Sequence, residues 1–245
     1  MGTVTRTLMI ENLLLGVLPE HERRRVAPYC ETVHLRNRAE LIQPDAPIDY
    51  VYFPHSGVLS SLIHVESGEA VEVGLVGREG MAGIPLVLGG FANPFHVIVQ
   101  APGEATRVPR DAFTHEVLDS GRPFCGALLK YANLFLSTVA QTAACNRLHR
   151  IDQRLARWIL EMHVRVDSPD LPITHELLGL MVGAYRPSVT NALSAMEERG
   201  ILTIGRGRVT VRDQAALEKA ACDCYSAIQM RTSQTLSRIK EMAAA

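Results

Sequence analysis

ITHELLGLMVGAYRPSVTNALSAMEERGIL, residues 173–202, holds two apolar helical patterns either side of a Gly-Ala break, the second opening with an arginine and a proline. Thr174 is placed to cap the first helix, since its hydroxyl can accept an orphan backbone N–H, and Glu176 suits the positive end of the helix dipole. Gly183 ends that helix. Pro187 fits the first turn of the next, where its missing N–H costs nothing. Leu178, Val182, Val189, Leu193 and Met196 fall where two helices crossing steeply would share a small core, and Gly179 lets them approach closely. This is the pattern of a helix-turn-helix, whose second helix enters the DNA major groove with its first turn facing base edges.

The next stretch, ILTIGRGRVTVRD at 201–213, reads as two short strands about a Gly-Arg-Gly turn, a wing. Arg206 and Arg208 would then lie near DNA phosphates, where arginine adds affinity without sequence information. Upstream, IDQRLARWILEMHVRV at 151–166 has Leu155, Trp158, Ile159 and Met162 on one helical face and stops at Ser168-Pro169. Before it, FCGALLKYANLFLSTVAQTAACNRL at 124–148 lacks proline, and Leu128, Tyr131, Phe135, Thr138, Thr142 and Cys145 recur at spacings of three and four. A helix of that length would run about 37 Å. Leu129, Leu134, Leu136 and Val139 supply other apolar faces. One side can therefore cover the N-terminal part while the 128–142 seam meets a second copy.

From Val33 to Val108 the period changes to two. LRNRAELI, YVYF, VLSSLIHV, AVEVGLV and HVIVQA alternate with the turn clusters QPDAP, PHSG, ESGE, GREG and PGE. Such spacing indicates an antiparallel sandwich or barrel. Gly68 makes 66–69 the clearest hairpin turn.

At 245 residues and 47% apolar content the chain can bury a sizeable core. The near-neutral total conceals a basic section: residues 147–212 hold ten basic and seven acidic side chains, whereas 1–146 hold eleven and fifteen. That asymmetry favours a partner bearing phosphates. The apolar stretch 127–145 is broken by Lys130, Asn133, Ser137 and Gln141, so no membrane span is expected. MGTVTRTLMIENLLLG has no leader pattern, and the five scattered cysteines read as reduced thiols, so the expected location is the cytoplasm. Nucleophile-elbow, P-loop and zinc-protease patterns are absent, and no enzyme is expected.

The order of these parts resembles the Crp/Fnr family of bacterial transcription regulators, most specifically in RIDQRLARWIL, the 173–202 segment and the Gly-Arg-Gly wing. The resemblance implies an α+β fold: an antiparallel β-roll like that of cyclic-nucleotide-binding domains (1–120), a dimerisation helix (121–148), a winged helix-turn-helix (149–212) and a helical extension (213–245). It also implies a homodimer on palindromic double-stranded DNA, with RNA polymerase as a further partner and no membrane. By the same likeness Arg186 takes the position that contacts guanine, with Ser188 and Asn191 facing the groove beside it. The residue chemistry agrees, because arginine pairs bidentately with guanine O6 and N7. Thr174, Tyr185 and Thr190 are read as backbone contacts alongside the wing.

Two departures from the family pattern carry expectations. Pro187 stands where many members have a base-reading glutamate, so the target sequence should differ from theirs. In the sensor half, cyclic-AMP-binding members hold the phosphate with a glycine-glutamate turn and an Arg-Ser pair. Here Gly77, Glu79, Gly80 and Gly83 are followed by Ile84 where the ribose-binding glutamate would be, and 93–96, ending in His96, supplies neither arginine nor serine. A cyclic phosphate without a cation would be poorly compensated. The pocket reads as degenerate, with an effector of other chemistry or none.

No cofactor and no metal are expected. Cys222-Asp223-Cys224 is too short to make a tetrahedral site alone, and Cys125 and Cys145 read as packing thiols. His34, His55, His64 and His96 show no paired spacing. They keep open a rival class, a metal-dependent cupin-like β-barrel enzyme fused to a DNA-binding unit. An architectural factor with little base preference is the other alternative.

Overall fold

The computed structural model describes residues 11–66, 68–118, 123–166 and 168–244. The first ten residues, the turn residue Ser67 and the boundary expected at 120/121 lie outside them. Two short helices, α1 (Leu13–Gly16) and α2 (Glu20–Val26), precede the strands β1 (Glu31–Leu35), β2 (Glu40–Ile42), β3 (Tyr50–Pro54), β4 (Val58–His64), β5 (Ala70–Val76), β6 (His96–Ala101) and β7 (Gly103–Pro109). They form two antiparallel sheets ordered β1-β7-β3 and β2-β6-β4-β5. A short helix, α3 (Ile84–Val87), interrupts the strands, and α4 (Arg110–Phe113) follows them.

Alternation located most of these strands, with two differences. LRNRAELI bends between β1 and β2, where Arg38 adopts φ 63° and the Ala39 N–H donates to the Arg36 carbonyl. The PGE stretch, expected as a turn, already opens β7, whose Ala105, Thr106 and Val108 are buried. The β4–β5 hairpin closes as expected, with Val65 N–H donating to Glu69 and Gly68 at φ 84°.

The chain then forms α5 (Pro123–Leu148), 26 residues and so about 39 Å long. α6 (Ile151–Val166) follows, then β8 (Asp170–Leu171), α7 (His175–Val182), α8 (Arg186–Glu198), β9 (Leu202–Gly205), β10 (Arg208–Val211), α9 (Gln214–Ala220) and α10 (Cys224–Ala244). The wing gains a strand beyond the sequence reading, its sheet running β8-β10-β9. Asp213 caps α9 by accepting the Ala216 N–H. α10 lies back along α5: its first residue touches Gln141, and Met242 near its end reaches Gly126.

The seam expected to face a second copy faces this chain instead. Leu128, Tyr131 and Phe135 are buried in the core that the β-roll, α5 and Ile239 of α10 share, and Thr142 and Cys145 are covered as well. Thr138 is half-buried, its hydroxyl donating to the Leu134 carbonyl. The seam is the more apolar stripe of α5, and the nearest apolar surface, the β-roll with α10, takes it.

α6 joins the two halves. Leu155, Trp158, Ile159 and Met162 share one core with Val58, Leu62, Leu75 and Ala101 of the β-roll and with Leu178, Val189, Leu193 and Met196 of the helix-turn-helix. Inside this seam Glu72 is buried, accepting from Ser60 at 2.5 Å and from the Trp158 indole at 2.8 Å. Burial pushes its carboxyl up to about 7, and those hydrogen bonds only partly oppose the rise. The folded state thus prefers the protonated form. Its contribution is full below about pH 4.5 and is lost as pH rises through about 7. Glu72→Gln keeps an acceptor for Trp158 and removes the titration. Wild type should lose up to about 3 kcal/mol relative to Glu72→Gln between pH 5 and 8. Urea unfolding of both proteins across that range checks this, and parallel pH profiles would reject it.

Candidate nucleic-acid interface

Local rules build the helix-turn-helix. Thr174 Oγ1 accepts the Leu177 N–H at 3.2 Å as the cap of α7, and Gly183 ends α7 in the left-handed region at φ 57°. The turn is tight because the Ala184 N–H donates to the Gly179 carbonyl at 2.8 Å. A Cβ on Gly179 would stand 2.9 Å from the Ala184 oxygen, so the close approach requires glycine there. α8 starts at Arg186 with Pro187 in its first turn. Its inner face, Val189, Ala192, Leu193 and Met196, is buried.

Its outer face presents Arg186, Ser188 and Asn191 together, all exposed, with Tyr185 just before them. Arg206 and Arg208 are exposed at the wing turn, where Gly207 has φ 71°. Six of the eight expected contacts are thus exposed. Thr174 and Thr190 do not share that freedom. The Thr174 oxygen is engaged at the cap, and the Thr190 hydroxyl donates to the Arg186 carbonyl at 3.1 Å and lies 3.1 Å from His175 Nδ1. A cleft of about 950 Å³ separates this unit from the outer β-roll face, and Arg186, Tyr185, His64, His96 and Gln100 line it.

The glycine-rich turn of the sensor grips the chain's own side chains. Glu79 pairs with Arg165 of α6 at 2.7 Å and also accepts the Gly77 N–H. Burial alone would raise Glu79, but Arg165 outweighs it and holds the carboxyl below its ordinary range. A Cβ at Gly77 would meet Arg165 at 3.1 Å, and one at Gly80 would overlap the Tyr131 hydroxyl of α5. Gly83 starts α3 at φ 101°, and Ile84 is buried in the core. His96 lies elsewhere, its Nδ1 3.0 Å from His64 Nε2 and its Nε2 3.6 Å from Glu40. The region therefore does not converge on one pocket: Gly77, Glu79 and Gly80 face α5 and α6, and His96 faces the cleft. The other β-roll histidines are separate too, His55 bonding Thr106 at 2.8 Å and His34 pairing with Glu104 at 3.1 Å.

Sequence reasoning missed one assembly. Cys145, His149, Cys222 and Cys224 bring their ligand atoms within 4.8 Å of one another. Cys222-x-Cys224 looked isolated because its companions come from the far end of α5, which only the tertiary fold brings near. No helix among the described residues is long and apolar enough to cross a membrane.

Comparison with known proteins converges on both halves. Residues 32–119 match the cyclic nucleotide-binding domain, and residues 153–220 match the Crp-like helix-turn-helix domain. The global nitrogen regulator of Synechococcus elongatus is 25% identical over 192 residues, covering 72% of this chain and 83% of that protein. Among solved structures, a Crp/Fnr-family transcriptional regulator from Eubacterium rectale superposes with a TM-score of 0.68 at 17% identity, over 84% of this chain and 96% of that one. FixK2 from Bradyrhizobium japonicum gives 0.67 at 17% identity, over 79% and 98%.

Proposed function

This chain belongs to the Crp/Fnr family and is a DNA-binding transcription regulator of that type, and from that premise we propose that it reads a palindromic operator as a homodimer, without cyclic AMP. The observation that carries the dimer is a second stripe on α5. Leu129, Asn133, Leu136, Ala140, Ala143 and Arg147 are all exposed and follow one another at alternating spacings of four and three. That is a heptad seam, with leucine at two core positions, small alanines that let helices approach, and an asparagine of the kind that fixes register. Leu129 and Leu136 are 47% and 50% exposed in one chain, which a second copy of α5 would cover. Two recognition helices about 34 Å apart on a palindrome require a two-fold axis, and this stripe is where we place it.

On each half-site Arg186 reads a guanine, Ser188 and Asn191 face neighbouring bases, and Arg206 and Arg208 hold phosphate. Thr174, Tyr185 and Thr190 serve at most the backbone. RNA polymerase is the natural further partner, and the cytoplasm the place of action. The metal-enzyme alternative is disfavoured because only His64 and His96 of the four β-roll histidines meet, while His55 and His34 bond Thr106 and Glu104 away from them.

Independence from cyclic AMP rests on the Glu79–Arg165 clasp. The turn that would hold a cyclic phosphate offers a carboxylate already paired to α6, and Tyr131 packs against Gly80. The β-roll then acts as a scaffold for α5, or answers an effector of other chemistry. Calorimetric titration with cyclic AMP should give no binding, and operator affinity should not change on its addition. Micromolar binding with a tenfold gain in DNA affinity, about 1.4 kcal/mol of coupling, would contradict this reading.

A further inference from the structure

Cys145 lies in the last turn of α5 and His149 is the residue after its end, where the His149 N–H still donates to the Cys145 carbonyl at 3.1 Å, so their side chains share a face. Cys222 lies in the short link between α9 and α10, and Cys224, beyond Asp223, is the first residue of α10. The link folds back onto that face. Cys145 Sγ lies 3.4 Å from Cys222 Sγ, and Cys224 Sγ lies 3.5 Å from His149 Nδ1. All three thiols are buried in a cluster of their own.

These two separations lie close to edges of one small tetrahedron, and all four ligand atoms fall within 4.8 Å of one another. A zinc ion with Zn–S about 2.3 Å and Zn–N about 2.0 Å sets S···S edges of about 3.8 Å and S···N edges of about 3.5 Å. An iron–sulfur cluster needs its cysteines spread around several metal atoms, which a set this compact does not provide. Three cysteines and one histidine are also a ligand combination that structural zinc sites use.

The surroundings suit the same ion. His149 turns its other ring nitrogen, Nε2, towards Asp223 Oδ1 at 3.5 Å, the outer carboxylate that orients a ligating imidazole. Gln141 Nε2 donates to Cys224 Sγ at 3.1 Å. Zn²⁺ with three thiolates carries one net negative charge. Arg157, buried on α6 and paired with Glu161 through one nitrogen while its Nε is unpartnered, and Arg154 lie within electrostatic reach of the thiols.

We infer that Cys145, His149, Cys222 and Cys224 form a mononuclear Zn²⁺ site that fastens the C-terminal helix α10 to the hinge between α5 and α6. Binding displaces the three thiol protons to solvent, and the imidazole ligates through neutral Nδ1 while its Nε2–H faces Asp223. The ion joins the end of α5, the start of α10 and the turn that leads to the DNA-binding half.

The test uses the full chain purified under reductant from zinc-supplemented cells. Elemental analysis should find about one zinc per chain. Cys222→Ser and Cys224→Ser should each lose most of it, while Cys30→Ser and Cys125→Ser keep it. A second readout needs no variant: chelator-stripped wild type titrated with Co²⁺ should develop thiolate-to-cobalt charge transfer and the strong ligand-field bands of tetrahedral cobalt. These should saturate at one equivalent and vanish on adding Zn²⁺. Any of four results overturns the site: no uptake of either ion, iron–sulfur absorption, a native Cys145–Cys222 disulfide, or full zinc retention in both Cys222→Ser and Cys224→Ser.

Discussion

Leu136→Glu is expected to convert the dimer into a folded monomer and to lower operator affinity by about 100-fold or more, because the two half-sites can no longer be engaged together. Leu136 is half-exposed in the single chain, so the substitution leaves the monomer core alone. In the dimer it would place two carboxylates against each other at the centre of the α5 seam, where unpaired charge costs several kcal/mol. The contrast is Leu128→Glu, which puts a carboxylate into a position with no exposure at all and should unfold the chain rather than split a dimer. Sedimentation and circular dichroism of both variants separate the two stripes. A Leu136→Glu protein that sediments as a dimer would refute the assignment.

Arg186→Ala is expected to remove about 1–3 kcal/mol per half-site, so that a symmetric operator loses roughly 30-fold or more in affinity. Binding to unrelated DNA should change little, since the lost contact is to a base edge. Arg206→Ala should behave differently. It removes a phosphate contact from each protomer, weakens specific and non-specific complexes alike, and reduces the steepness of the salt dependence by about 2 per dimer. Titrations of both variants on operator and on random duplex, at several salt concentrations, distinguish the roles. An unchanged preference in Arg186→Ala would end the claim that this arginine reads sequence.

The helix-turn-helix was legible because its determinants are local. Thr174, Gly179, Gly183 and Pro187 each act within a few residues, and the structure realises the cap, the close approach, the left-handed end and the first turn they dictate. The stripe proposed as the dimer seam was not legible in the same way. α5 carries two stripes at helical spacing, and periodicity cannot say which one its own chain covers. The richer stripe through Leu128, Tyr131 and Phe135 turned inward onto the β-roll and α10, leaving the sparser stripe through Leu129, Asn133 and Leu136 exposed. Of the observations behind the proposed independence from cyclic AMP, the missing Arg-Ser pair shows in the sequence, whereas the Glu79–Arg165 clasp depends on how α6 packs. The cluster of Cys145, His149, Cys222 and Cys224 lay beyond reach, since two of these residues come from the end of α5 and two from around the start of α10, far downstream.

Whether a dimer reads DNA through Arg186 is decided by selecting bound sequences from a random duplex library with the wild-type protein and with Arg186→Ala. Wild type should enrich an inverted repeat whose half-sites are centred about one helical turn apart, ~34 Å, and one symmetric guanine position should become degenerate in the variant. Failure to enrich any inverted repeat, or the same repeat with the same guanine preference in both proteins, would contradict it.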